Sequence, residues 1–160
     1  MAAPTEVFEF SLTERQAVLD WMGVLMAAGR GWINFEAAID PESEVPRAGS
    51  GLFGFFSAIG PPVAFCTWMP VVSRRAGATS VSVGIQHPAG PKVARLLERL
   101  GLGVPEGWVV LQDHPRRGLV VQVPAPADHD AVLSWLLRSG AALSSVPLTG
   151  TWRATVHQRP

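Results

Sequence analysis

Two short segments carry the residues best placed to do chemistry. In residues 86–92 (QHPAGPK), His87 and Gly90 lead out of a strand pattern toward Lys92 and an apolar helical run. In residues 113–118 (DHPRRG), His114, Arg116 and Arg117 crowd the tip of a hairpin pattern. A helix start offers free main-chain N–H groups and the positive end of a dipole, which suits a phosphate or carboxylate. Lys92 is the only lysine in the chain, and a cation in a first turn opposes the dipole unless it serves something else. Arginine forks pair with the same oxyanions bidentately. If the two segments share one end of the sheet, His87, Gly90, Lys92, His114, Arg116 and Arg117 form a site for a small anionic ligand. If they lie at opposite ends, Gly90-Pro91 is an ordinary helix start and the arginines are solvated.

Other reactive side chains give weaker signals. The histidines are His87, His114, His129 and His157. No two of them show the helical i,i+4 or close strand spacing that brings metal ligands together, so the reading is turn histidines and no metal. Asp128 and Asp130 flank His129, where negative charge favours a helix N-terminus. Cys66, the only cysteine, lies between Phe65 and Trp68 in an uncharged stretch. A reactive thiol needs a neighbouring positive charge or helix N-terminus, so Cys66 reads as a buried structural residue. The sequence contains no HExxH, no Walker A pattern, no GxSxG and no GxGxxG between a strand and a helix. No catalytic residue and no cofactor are assigned, and an enzyme is the less favoured reading.

The elements that must position these residues follow from periodicity. Ser11 and Glu14 have capping-box spacing, and Val18, Trp21, Met22, Leu25 and Met26 recur at helical spacing toward Gly29. From Trp32 to Asp40 the chain alternates, with Ile33, Phe35, Ala37 and Ile39 on one side. An acidic loop with proline and glycine fills Asp40–Gly51. Leu52–Ile59 and Val63–Met69 read as two buried strands around Gly60-Pro61-Pro62. Thr79–Gln86 alternates again, and Val93, Leu96, Leu97 and Leu100 form a second helical stripe stopping at Gly101. Trp108–Gln112 and Leu119–Val123 pair as a hairpin. Asp128 caps a third helix carrying Val132, Trp135 and Leu136, ending near Gly140. A last strand has Trp152, Ala154 and Val156 facing one way.

This order predicts an α+β fold over residues 1–160 as a single domain, with a largely antiparallel sheet and about three helices packed on one face. From Thr79 onward the element order resembles the ferredoxin-like β-α-β-β-α-β arrangement. With the first helix included, it resembles a secretion-chaperone-like layout. Both resemblances are of element order only. The segments AVLDWM (17–22) and AVLSWL (131–136) match at four positions, a pattern that duplication or a narrow alphabet of amphipathic helices would equally give.

Composition sets the remaining bounds. Hydrophobic residues make up 48% of the 160, charged residues only 16%, and the formal net charge is zero. Disordered chains combine the opposite properties. Arginine supplies all but one of the 13 basic residues, the bias of a GC-rich bacterial genome. The uncharged run from Ala48 to Ser73 is long enough to span a bilayer, but its central Gly-Pro-Pro breaks a helix, so no membrane segment is expected. Residues 1–10 contain two glutamates where a signal peptide needs a basic start, which favours the cytoplasm. Nucleic acid is not expected: Trp68, Trp108, Trp135 and Trp152 fit core positions rather than a stacking surface. Residues 1–44 hold eight acidic and two basic residues, and the remainder five and eleven, as suits oppositely charged faces meeting within or between copies. The functional expectation is a non-catalytic protein-interaction or regulatory module, self-associating as a homodimer to which the first helix contributes. The alternative is a protein that binds a phosphate- or carboxylate-bearing small molecule at residues 87–92.

Overall fold

A computed structural model describes residues 4–42, 60–73, 75, 77 and 79–159. Its elements run β1 (Glu6–Ser11), α1 (Gln16–Ala28), β2 (Trp32–Ile39), β3 (Phe65–Val72), β4 (Thr79–Gln86), α2 (Val93–Arg99), β5 (Val109–His114), β6 (Gly118–Val123), α3 (His129–Leu143) and β7 (Leu148–His157). The strands form one seven-stranded sheet in the order β1-β7-β2-β3-β4-β6-β5. Every pairing is antiparallel. This is the α+β class that the sequence predicts.

Side chains in a strand alternate between faces, and the register carries one apolar face across the whole sheet. Phe10 stands opposite Trp152, Phe35 opposite both Ala154 and Cys66, Trp68 opposite Val83, and Val83 opposite Val121. All of these are buried in one cluster with Val18, Met22 and Leu25 of α1, Val93 and Leu97 of α2, and Leu133 and Leu136 of α3. The three helices therefore cover one face. The other face carries Glu9, Asn34, Glu36, Thr67, Ser82 and Gln122, with Met69 and Val71 partly exposed among them.

Connections follow two rules. In each of two units, β1-α1-β2 and β4-α2-β5, a helix joins two strands that flank a third, β7 in the first and β6 in the second. The remaining helix, α3, carries the chain from β6 to β7 past β4, β3 and β2. The strands from β4 onward thus form no sheet of their own, since β2 and β3 lie between β4 and β7. That separates this topology from a contiguous ferredoxin-like sheet. It also gives the two similar helical segments different places: α1 steps over one strand and α3 over three.

Several local expectations shift. Ser11 ends β1, and its hydroxyl accepts the Glu14 N–H at 3.2 Å in a turn before the helix. The helix begins only at Gln16, after Arg15, which makes no side-chain cap. Gly29 does end α1, in the left-handed conformation with φ 66°. β1 escapes sequence reading because its apolar alternation is only Phe8-Glu9-Phe10, with Glu6 in the next inward position. On an edge strand such charges are normal. The strand expected at Val63–Met69 runs Phe65–Val72. Pro70 is tolerated there because the β2 pairing stops at Trp68, so no partner on that side needs its missing N–H. The strand expected at Leu52–Ile59, and most of the acidic loop before it, lie outside the described residues.

Gly140 is the clearest revision, because α3 continues through it to Leu143. A Cβ built on Gly140 would sit 2.6 Å from the Cys66 Sγ. The glycine is there to let the helix backbone lie against β3, not to stop the helix. The Cys66 thiol in turn points at the Leu136 carbonyl, 3.8 Å away. Gly140→Ala is expected to cost about 1–3 kcal/mol by overpacking. In the Cys66→Ala background, urea unfolding should show a markedly smaller cost for the same change. Equal costs in both backgrounds would remove this contact as the reason for the glycine.

Candidate functional site

The two segments singled out by sequence come together. Ile85 at the end of β4 pairs with Leu119 at the start of β6. Gly118, at φ 86°, lies so close to the Ile85 carbonyl that a Cβ has no room. The hairpin tip is thereby seated against the β4 end, on the same end of the sheet as the segment leading into α2.

The joint is made by a residue that sequence reading left as part of a turn. The Asp113 carboxylate reaches from β5 to α2, where it accepts the N–H groups of Val93 and Ala94 at 3.1 Å each. Those are donors of the first helical turn, which otherwise lack partners. Lys92 precedes them as the N-cap, in the left-handed region at φ 59°, with no side-chain cap of its own. The place at which an anion was expected is thus filled by a carboxylate of the same chain. No local sequence signal gives such a cap, because donor and acceptor are 19 and 20 residues apart.

The histidines on either side have related tasks. His87 is buried, and its Nδ1 accepts the Ala89 N–H at 3.2 Å. Its main-chain oxygen accepts the Gly60 N–H at 3.1 Å, and its Nε2 is buried without a hydrogen-bond partner among the described residues. Burial holds the imidazole below the usual histidine range, against a smaller opposite pull from the Asp113 charge. At the hairpin tip, the His114 Nδ1 accepts the N–H groups of Arg116 and Arg117 at 3.1 and 3.2 Å. Gln112 completes the tip by donating to the carbonyls of Arg117 and Gly118. Lys92, Arg116 and Arg117 are exposed, and none enters an ion pair among the described residues. Gly90 lies in the turn between His87 and Lys92 at φ 81°.

The other two histidines lie elsewhere. His129 begins α3, edge-on to Trp68 with centroids 5.9 Å apart, and burial lowers its pKa against the pull of Asp128. His157 stacks on Trp32 at 4.6 Å, and Arg159 lies 5.1 Å from the same indole. Among the described residues, no three His, Cys, Asp or Glu side chains converge as metal ligands. Burial pushes the Cys66 thiol far up from its ordinary value, so it is held as the unreactive thiol. Asp128 caps α3 as expected, accepting from Asp130 and Ala131. Asp130 instead pairs with Arg15, 2.7 Å from Nε and 2.9 Å from NH2, which ties the starts of α1 and α3 together.

Chemically, the corner holds exposed cations over a set of main-chain donors that are already satisfied. The apolar surface lies beside it. β5 is the last strand of the sheet, and Val109, Val110 and Leu111 are 52%, 40% and 58% exposed. The register slips between Val110 and Gln112, so Leu111 is a bulge. Sequence reading assigned the strand and missed its exposure, which depends on where β5 falls in the sheet. No helix among the described residues is long and apolar enough to cross a membrane. No family model matches the chain, and no curated protein or solved structure resembles it significantly.

Two substitutions test the internal cap. Asp113→Ala is expected to lower unfolding stability by about 0.5–2 kcal/mol, the range for losing a helix cap. Lys92→Gly is expected to raise it by about 1 kcal/mol, because glycine adopts the left-handed conformation without the steric cost carried by an L side chain. A destabilised Lys92→Gly would mean that the lysine side chain makes a contact worth more than the strain.

Proposed function

We propose that this chain is a non-catalytic protein-interaction or regulatory module that works as a homodimer, meeting its second copy along the β5 margin. The observation that supports this reading most is the run Val109-Val110-Leu111, three consecutive aliphatic residues exposed on the outermost strand. Exposed apolar margins of this kind are where soluble proteins meet partners. The bulge at Leu111 interrupts the strand's outward ladder, so the contact is side-chain packing rather than a continuous added strand. Ala94, Arg95 and Glu98 of α2 border a shallow hollow with Val104 and Val110, which gives that packing a second wall. Exposed Glu106 precedes β5, and exposed Arg116 and Arg117 follow it. A two-fold axis across the strand would bring each acidic end near the other copy's basic end, as an isologous interface requires.

Two earlier expectations lose support. On α1, Leu19, Trp21 and Met26 pack partly against the core, leaving Val24 as the one large apolar side chain about half exposed. That offers less for a dimer interface than β5 does. The anion-binding alternative keeps Lys92, Arg116 and Arg117 near one another, but the helix donors that would anchor the ligand already bind Asp113.

Sedimentation velocity across the micromolar range tests the proposal. The expected result is a concentration-dependent dimer that Leu111→Glu shifts to monomer, with the same unfolding midpoint for both chains at dilutions where both are monomeric, since Leu111 is outside the core. A wild-type chain that stays monomeric throughout would overturn it. A melting temperature raised by inorganic phosphate, and no longer raised in Lys92→Ala, would instead support the anion-binding reading.

A further inference from the structure

The β3–β4 hairpin reaches past its neighbours. Its register runs from Phe65↔Gln86 to Val72↔Thr79, whereas the β2 pairing of β3 stops at Trp68 and the β6 pairing of β4 stops at Val81. Among the described residues, Val71–Val72 and Thr79–Ser80 are therefore paired only with each other, and Met69 and Pro70 have no partner on the β2 side. This overhang carries exposed Met69, Val71 and Val72. Alternation puts Met69 and Val71 on the face without helices and Val72 on the helix face. There Val72 packs against the end of α1, where a Cβ on Gly29 would come within 2.8 Å of its Cγ2. The aliphatic surface thus wraps both faces of one sheet end, and exposed Arg75 lies in the connection beyond it.

Further cations border this end. β2 begins there with half-buried Trp32, whose indole stacks on His157 and lies 5.1 Å from the Arg159 guanidinium. Arg30 and Arg159 line a hollow of about 400 Å³ with Thr5, Leu25, Ala28 and Gln158, and no acidic side chain lines it. Arg30, Arg75 and Arg159 are exposed, and none enters an ion pair among the described residues. We propose that this end of the sheet docks on an anionic lipid surface, with Met69, Val71 and Val72 entering the headgroup boundary and Arg30, Arg75 and Arg159 meeting lipid phosphates. Two properties select a bilayer over a folded partner. The aliphatic residues wrap an end instead of lining a groove, so a protein would need a cleft shaped to both faces, whereas lipid headgroups part around it. Exposed aliphatic side chains beside arginines, with an indole among them, also combine apolar burial with attraction to negative headgroups. The surface is separate from the proposed dimer margin, because β4 and β6 stand between β3 and β5.

Cosedimentation of the full chain with vesicles tests this, using phosphatidylglycerol mixed into phosphatidylcholine against phosphatidylcholine alone. The expected result is binding to the anionic vesicles, weakened by added salt, and little binding to the neutral ones. Val71→Glu, outside the core, should weaken binding by about tenfold or more, since it replaces apolar area with a charge the headgroups repel. Arg30→Glu/Arg159→Glu should weaken it by about fivefold or more per arginine. At dilutions where both chains are monomeric, Leu111→Glu should bind vesicles as the wild type does, which separates this proposal from the dimer. Equal binding to both kinds of vesicle, binding to neither, or unchanged binding by Val71→Glu would overturn it. Release from the vesicles by inorganic phosphate, but not by chloride of equal ionic strength, would overturn it too, by assigning the arginines to a free anion.

Discussion

The chain leaves β6 on one side of the sheet and must reach β7 on the other, with β4, β3 and β2 between them, and α3 makes that crossing. The helix fits only if it lies close against β3, and the Gly140 backbone resting on the Cys66 sulfur marks that approach. Burial along α3 from Val132 to Leu143 follows, including Trp135, whose indole donates to the Leu102 carbonyl at 3.0 Å. With α3 fixed, Arg15 meets Asp130 and sets the start of α1. Among the described residues no helix covers the opposite face of the sheet, which is mostly polar with Met69 and Val71 partly exposed on it. The helix-strand contact at Gly140 thus seats α3 on the face that strand alternation makes apolar.

The corner beside α2 follows from a different demand. Main-chain donors in turns and first helical turns need acceptors, and here side chains supply them: Asp113 for α2, His87 for the β4 exit, His114 for the hairpin tip. Residue types that could recognise a ligand are used to hold the chain. What is left to face outward is a set of cations and, next to them, the aliphatic margin of β5. This is why the functional proposal rests on a surface and not on a pocket.

Much of the fold was legible because it is periodic. The alternation in β2 and β4, the β5–β6 hairpin and the Asp128 cap all depend on residues within a few positions of one another. Features set by long-range contact were not legible. Gly140 reads as a helix stop until β3 is seen beneath it, and Asp113 reads as a turn residue until α2 is seen above it. β1 hides because only Phe8 and Phe10 alternate inward, and Glu6 takes the next inward position. The sequence could place the six candidate residues together only on the condition that the two segments share an end of the sheet, and spacing alone does not say whether they do. Their occupation by Asp113, His87 and His114 as internal caps required three-dimensional neighbours that no spacing rule encodes. The exposure of Val109, Val110 and Leu111 likewise follows from the strand order rather than from their sequence.

The proposed function is that this chain presents a surface to a second copy of itself rather than a site for a small anion. Native mass spectrometry of the protein purified gently from its own host measures this most directly, because it weighs the assembly and anything retained by it together. The account expects a dimer of the bare chain. A monomer carrying a stoichiometric small anion would contradict it, and would return the exposed cations around Lys92, Arg116 and Arg117 to the role of a binding site.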